Sequence, residues 1–252
     1  AWYKEYPYIE DHFARLNTAL TRGTPDVSIG VIHPIESYWL YCGPGRTTSD
    51  ARNQIQNDFT NLINWMLFAQ LDFDYISEAL LPDACKKAGN PIAVGKMRYD
   101  TIVVPALRTI RRTTLERLYD FSEAGGKVLF LGPCPEYVDA EKSDDVRALY
   151  EKSTVIPFER LALINALEDD RKFEIRTSNG EYTDNYIYQM RKDGAYKWLF
   201  IANAEKRMSD LIDETELTIK VKGTFNAELY DTLTGIQMGT VEAPEGWVHV
   251  IL

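Results

Sequence analysis

The sequence predicts an α/β domain built on a parallel sheet, followed by an antiparallel β-sandwich. Three observations lead there. Between residues 27 and 131, continuously apolar strands alternate with amphipathic helices, the pattern of parallel strands covered on both faces. After about residue 155 the pattern changes to short strands and turn residues at roughly ten-residue spacing, as in an antiparallel sandwich. The length, 252 residues at 45% hydrophobic and 26% charged, suits one large domain or two modest ones.

The elements follow in order. Residues 7–22 read as a helix: Pro7 suits a first turn, and Ile9, Phe13, Leu16 and Leu20 share one face at helical period. Gly23 and Pro25 end it. Residues 27–32 read as a buried strand whose exit is a loop, His33-Pro34-Ile35-Glu36-Ser37. Residues 50–69 read as the next helix, with Ser49 or Asp50 as N-cap. Its apolar stripe includes Ile55, Phe59, Leu62, Ile63 and Met66. Residues 73–77 read as a second strand, followed by a polar segment to Lys96.

Thr101-Ile102-Val103-Val104 is β-branched, continuous and closed by Pro105, a clear strand signature. A helix over about 113–124 ends in Gly125-Gly126. Residues 127–132 form the next strand, ended by Pro133-Cys134-Pro135, and a helix is expected over 142–151. Four such strands in about 110 residues suit a small flavodoxin-like sheet. The segment from 156 to 170 is expected to hold one more helix. Strands are expected over 186–191, 197–202, 217–221, 227–230 and 247–252. Lys192-Asp193-Gly194, Thr234-Gly235 and Glu245-Gly246 supply turns. The implied division is a connecting helix over 1–24, a flavodoxin-like α/β domain over 25–155 and a β-sandwich over 156–252.

Composition excludes several function classes. The net charge is −10, so nucleic acid and anionic membranes are not expected partners, because phosphate binding needs clustered Lys and Arg. The densest basic cluster, Arg108-Thr109-Ile110-Arg111-Arg112, reads as a solvated helix start or a local salt bridge in preference to a phosphate site. The longest apolar run, residues 65–69, is far short of the roughly 20 residues of a membrane span. Three widely spaced cysteines and three histidines give neither a disulfide framework nor a zinc pattern, so no metal is expected. No phosphate-binding glycine loop follows the first strand, so no nucleotide or flavin cofactor is expected. The opening Ala1-Trp2-Tyr3-Lys4 reads as the interior of a larger protein rather than a signal segment.

The stretch "YDTIVVPALRTIRRTTLERLYDFSEAGGKVLFLGPCP", residues 99–135, resembles the glutamine-amidotransferase-like, or trimerisation-like, domain of large glycoside hydrolases. The matching parts are Tyr99, Asp100, Pro105, Leu115, Leu118, Gly125, Gly126 and the strand after them. The opening "RLNTALTRGTPDVSIGVIHPIES" is similar to the helix and first strand of that domain in β-galactosidases of family 42 and in rhamnosidase-like families such as 106. "YKWLFIANA" and "ELYDTLTGI" resemble the β-sandwich that follows in such enzymes. The resemblance implies the region downstream of a catalytic barrel, which would need roughly 250 residues of its own. The cleaving carboxylates would then lie upstream, in a parent that is secreted or periplasmic.

The residues themselves leave three kinds of chemistry to weigh. Cys134 follows a strand, but proline on both sides is wrong for a nucleophile elbow, so amidotransferase chemistry is disfavoured. Glycoside cleavage needs two acids, about 5 Å apart in retaining enzymes. Glu36, Asp72, Asp74 and Glu78 lie near strand ends, yet Asp72 precedes its strand and Glu36 follows its own, so those two fall at opposite ends of a parallel sheet. No catalytic residue is assigned. Ligands of doubly wound sheets sit outside the carboxyl ends of the strands, where strand order reverses. With the order 2-1-3-4, that place is lined by residues 33–36 and 105–107. Tyr38 and Trp39 could stack on a sugar ring there or fill an interface. The candidate carbohydrate contacts are His33, Glu36 and Trp39. Trp198, Tyr230 and Trp247 read as core in preference to a sugar-binding face. The expected function is a non-catalytic region of a large glycoside hydrolase that braces the upstream barrel of the same parent chain and contributes to its oligosaccharide cleft. The alternative is an independent carbohydrate-binding or oligomerisation module.

Overall fold

The computed structural model describes residues 2–183, 185–204, 216–243 and 247–251. The chain packs as two compact units. One comprises Val27–Leu67 and Asp72–Asp170. The other gathers residues 1–26, Phe68–Leu71 and Arg171–Leu252.

The first unit is built on five strands: β1 (Ile29–Ile32), β2 (Phe73–Ile76), β3 (Thr101–Val104), β4 (Lys127–Leu131) and β5 (Thr154–Ile156). All pair in parallel. Counted from the β2 edge, the order is 2-1-3-4-5, the flavodoxin-like order in which the chain reverses direction beside β1. The strand β5 extends the expected four. Its signal, Thr154-Val155-Ile156 before Pro157, is β-branched but only three residues long.

β1 and β3 are buried along their whole length, as continuously apolar strands covered on both faces must be. Gly30 sits at their centre because nothing larger fits. A Cβ there would lie 2.6 Å from Ile76 Cδ1 and 2.8 Å from Ile102 Cδ1. At the amino ends of the strands, Asp170 ties β3 to β4. It accepts from Thr101 Oγ1 at 2.8 Å and pairs with Lys127 Nζ at 2.8 Å.

Helix α1 (Tyr6–Leu20) belongs to the second unit. The first is flanked by α2 (Ile35–Leu40), α3 (Gly45–Phe68), α4 (Leu81–Ala84), α5 (Arg112–Glu123), α6 (Arg147–Lys152) and α7 (Arg160–Ala166). α7 fills the segment where one further helix is expected. α3 begins at Gly45 instead of after Ser49, because Thr47 and Thr48 donate their hydroxyls to Pro44 O and extend the first turn. α5 buries Leu115, Leu118 and Phe121. It ends where Gly125 turns left-handed (φ +84°) and the Gly126 N–H reaches back to Phe121 O, the glycine cap that the Gly-Gly pair predicts. The expected exit loop after β1 is instead the short helix α2. Pro34 starts its turn, and the buried Ser37 gives it a fixed partner.

The second unit is antiparallel. β6 (Phe173–Thr177), β9 (Glu216–Val221) and β12 (Trp247–Ile251) form one sheet. β7 (Tyr186–Asp193) and β8 (Tyr196–Asn203) form a hairpin, edged by Thr24-Pro25. β10 (Phe225–Tyr230) pairs with β11 (Gln237–Ala243). The core between these layers is Phe173, Ile175, Tyr186, Leu217 and Ile219, joined by Leu199, Ile201 and Leu229. The fold is therefore an α/β sheet followed by a β-sandwich. The expected turn at Glu245-Gly246 lies outside the described residues, as does Leu252.

One buried charge organises the sandwich edge. The Asp26 side chain is 1% exposed and faces three ammonium groups: Lys172 and Lys192 at 2.9 Å and Lys197 at 3.2 Å. Lys192 and Lys197 lie directly opposite on β7 and β8, a like-charge pairing that is unfavourable by itself. Asp26 offsets it. Burial raises the Asp26 pKa, but the hydrogen bonds from Lys192 and Lys172 outweigh this and bring it down to about 2. Its stabilising effect is therefore present above about pH 4 and lost as pH falls through about 2. Asp26→Asn leaves three ammoniums without their counter-charge. It is expected to lower the unfolding free energy by about 3 kcal/mol, read from urea unfolding at pH 7.

Candidate functional site

The carboxyl ends of β1, β2 and β3 deliver three chain exits to one edge of the parallel sheet. β1 leaves through His33-Pro34 into α2. β2 leaves through Ser77-Glu78. β3 leaves through residues 105–108 into a short strand, Thr109–Ile110, which leads to α5. This is the reversal point where ligands of such sheets sit.

Ser37 of α2 fixes the third exit. Its buried hydroxyl accepts from Arg108 N at 2.9 Å and Thr109 N at 3.2 Å, and donates to Thr109 O at 3.3 Å. Thr109–Ile110 then pairs in parallel with Tyr137–Val138. The helix that replaces the expected loop thus pins the strand that places Arg111.

Arg111 joins two acids. Its Nε and Nη2 reach Glu36 Oε1 at 2.8 and 2.7 Å. Its backbone N–H donates to Glu78 Oε2 at 2.7 Å. Glu78 is 1% exposed. Burial drives its pKa up, the Arg111 N–H and Thr114 hydroxyl pull it back, and the nearby Glu36 charge pushes it up again, to about 7. The acid that shares a sheet end with Glu36 is therefore Glu78, not Asp72. Both follow their strands, and that positional signal in the sequence identifies the pair. The other basic residues of the 108–112 cluster also form local ion pairs, Arg112 with Asp145 and Arg108 with Glu136.

The three expected carbohydrate contacts have different surroundings. His33 packs edge-on against Phe59 and Tyr75, ring centroids 5.3 Å away in each case, and burial lowers its pKa. Glu36 is held by Arg111. Trp39 is 54% exposed, on the same short helix as Glu36. Asp72 and Asp74 are elsewhere: Asp74 accepts from Tyr99 Oη at 3.0 Å, and Asp72 sits at the opposite end of β2. In the second unit, Arg22 lies over the half-buried Trp198 ring at 4.9 Å, and Tyr230 is exposed. The side chains of Trp247 and His249 lie outside the described residues.

Cys134 follows β4. Burial raises its thiol pKa, the opposite of what a nucleophile needs. The left-handed Gly132 before it packs against Ala106 and Phe158. No group of three or more His, Cys, Asp and Glu among the described residues could hold a metal ion. No described helix is long and apolar enough to cross a membrane.

No protein-family model matches the chain, and no curated protein matches it. Solved structures do share the fold. A catalytic mutant of Gan42B, a GH42 β-galactosidase from G. stearothermophilus, superposes over 91% of this chain at TM-score 0.56 and 12% identity. A second Gan42B structure covers 90% at TM-score 0.53 and 11% identity. The apo exo-carrageenase GH42 from Bacteroides ovatus covers 89% at TM-score 0.50 and 13% identity. The chain spans only 41%, 40% and 28% of those proteins' own lengths, respectively. The likeness runs through both units, α/β sheet and sandwich together.

Ser37→Ala removes the acceptor of two backbone N–H groups. It is expected to lower stability by about 2 kcal/mol, measured by chemical denaturation, with protection from hydrogen exchange lost at Arg108 and Thr109.

Proposed function

We propose that the chain is a non-catalytic region of a larger glycoside hydrolase, of the β-galactosidase or α-L-rhamnosidase kind. It braces the catalytic barrel and lends residues to the rim of its carbohydrate cleft. The observation that carries this reading is a fold shared along nine-tenths of the chain with GH42 enzymes more than twice its length. The division proposed for the parent is a connecting helix over 1–24, the α/β domain over 25–155 and the sandwich over 156–252.

The chemistry of the sheet edge supports a bracing role. Glu36 is engaged by Arg111, and Glu78 is buried beneath it, so neither carboxyl is free to attack or protonate a glycosidic bond. The exposed Trp39 ring offers a sugar a stacking surface, with the half-buried Glu36 and His33 on the same chain exit.

α1 supplies a second support. Tyr6, Ile9 and Phe13 form one stripe at helical spacing, preceded by Trp2 in the 3-10 turn Trp2–Glu5, and all four are exposed, at 44% to 72%. Leu16 and Leu20 continue the stripe and are half-buried. His12 and Arg15 bind the 232–233 turn of the β10–β11 hairpin through Thr232 O and Leu233 O, which fixes the helix and leaves the aromatic end outward. An apolar stripe of this kind marks an interaction surface, and the barrel of the parent is its proposed occupant. The same stripe would serve an oligomerisation module, the second reading.

The isolated 252-residue chain is expected to fold and to show no turnover of aryl-galactosides or aryl-rhamnosides. Measurable turnover in a preparation free of other hydrolases contradicts the proposal. Sedimentation as a monomer favours the barrel as the occupant of α1, and a discrete oligomer favours the second reading.

A further inference from the structure

The net charge of −10 conceals one basic face. From Ala84 to Tyr99 the chain carries Lys86, Lys87, Lys96 and Arg98 and no acid. All four residues are exposed. Lys86 pairs with Asp83 at 2.9 Å, but both side chains are largely in water, at 75% and 90% exposure, and such a pair is weak and screened by salt. Among the described residues, no ion pair engages Lys87, Lys96 or Arg98. The cluster at 108–112 differs, since each of its three arginines is held by an acid.

Folding brings these cations together. Ile92–Val94 and Met97–Tyr99 pair as a short hairpin, whose two-residue turn is Gly95-Lys96. Gly95 is left-handed at φ +59°, as such tight turns require. Its N–H donates to Ala84 O, at the end of α4, at 2.9 Å. The turn that carries Lys96 is therefore tied beside the chain that carries Lys86 and Lys87. Two residues along, about 7 Å of strand, Arg98 stands between Met97 and the buried Tyr99, opposite the uncharged Ala93. The backbone beneath is anchored. Cys85, Ala88, Ile92 and Tyr99 are buried between the cations, and Arg117 of α5 donates to Cys85 O.

We propose that this face docks an anionic polysaccharide, one bearing carboxylate or sulfate groups. A protein partner fits it poorly. Protein interfaces bury aromatic, Met and Arg anchors and are depleted of Lys, whereas here three of the four cations are Lys and no exposed aromatic lies among them. Nucleic acid fits poorly too, because its dense phosphates would meet the acid surplus of the rest of the chain. A sparsely charged sugar polymer lays its anionic groups along hydrated point charges, and its neutral stretches pass the acidic surface. The choice of a saccharide rests on the proposed glycoside-hydrolase reading. The face lies on the hairpin after α4, and Trp39 lies on α2, so its role is to hold a polymer and not to position a bond for cleavage.

Surface plasmon resonance on the whole chain tests this, with polygalacturonate, dextran sulfate, polyglutamate and neutral dextran immobilised. Retention is expected on both anionic polysaccharides, or on one, which then names the recognised group, and not on dextran. Raising salt from about 20 to about 150 mM is expected to weaken it at least about tenfold. The triple variant Lys87→Ala, Lys96→Ala, Arg98→Ala is expected to bind at least about tenfold more weakly. A second triple variant, Lys142→Ala, Lys152→Ala, Arg160→Ala, removes the same charge from exposed residues elsewhere and is expected to bind like the parent chain. Should the first variant not fold, Lys96→Ala alone is read, and an unchanged affinity overturns the site. No retention on either anionic polysaccharide, equal retention on dextran or on polyglutamate, or equal losses in the two triple variants overturns the proposal. Binding and turnover fail separately. A chain that binds and also cleaves aryl-glycosides sinks only the non-catalytic reading, and one that does neither sinks only this proposal.

Discussion

The edge of the parallel sheet depends on one residue, Arg111. Its side chain holds α2 through Glu36, and its backbone N–H holds the β2 exit through Glu78. The next residue begins α5. Three chain exits from adjacent strands therefore meet at a single cation. The geometry follows from strand order. With β1 between β2 and β3, both acids emerge on the same side as the start of α5, and a single arginine can reach both. Ser37 completes the arrangement by seating the short strand from which Arg111 projects.

The second unit uses the opposite charge arrangement for a similar end. There one buried acid, Asp26, gathers three lysines and holds the Thr24-Pro25 edge and the β7–β8 hairpin together. Gly23, immediately before, is left-handed at φ +52°, and a Cβ on it would lie 1.8 Å from Lys192 O. The chain can run this close to β7 only as glycine. In both units an ionic centre fixes where chain segments cross, and the apolar cores supply the bulk of the burial.

Much of this was legible in the sequence. The largely apolar run at 27–32, the continuous β-branched run at 101–104 and the Gly125-Gly126 cap mark the parallel sheet, because buried parallel strands carry no polar face. Alternation after residue 173 marks the sandwich. What escaped was short or tertiary. α2 and β5 have six and three residues, too few for periodicity to show. Of the candidate site, His33, Glu36 and Trp39 were placed at the correct strand exit from their positions alone. Their grouping was not legible, since it depends on Arg111, which is distant in sequence and reads locally as a solvated helix start. Glu78 is one strand-end acid among four in the sequence; its place after its strand pairs it with Glu36, and its burial is a tertiary fact.

The functional picture rests on the same centre. A carboxylate pair at a sheet's carboxyl edge suggests acid–base chemistry, but an arginine bound to one acid and burial of the other make it a structural clasp. The proposed supporting role draws on the engagement of Glu36 and Glu78 and on the exposed ring of Trp39. The clasp is tested most directly by the Nε–H signal of Arg111 in 15N-labelled protein. A resolved signal, slow to exchange with water at pH 6.5 and lost on replacing Glu36 by alanine, is the expected result. An Arg111 signal that exchanges as fast as those of solvent-exposed arginines would contradict it.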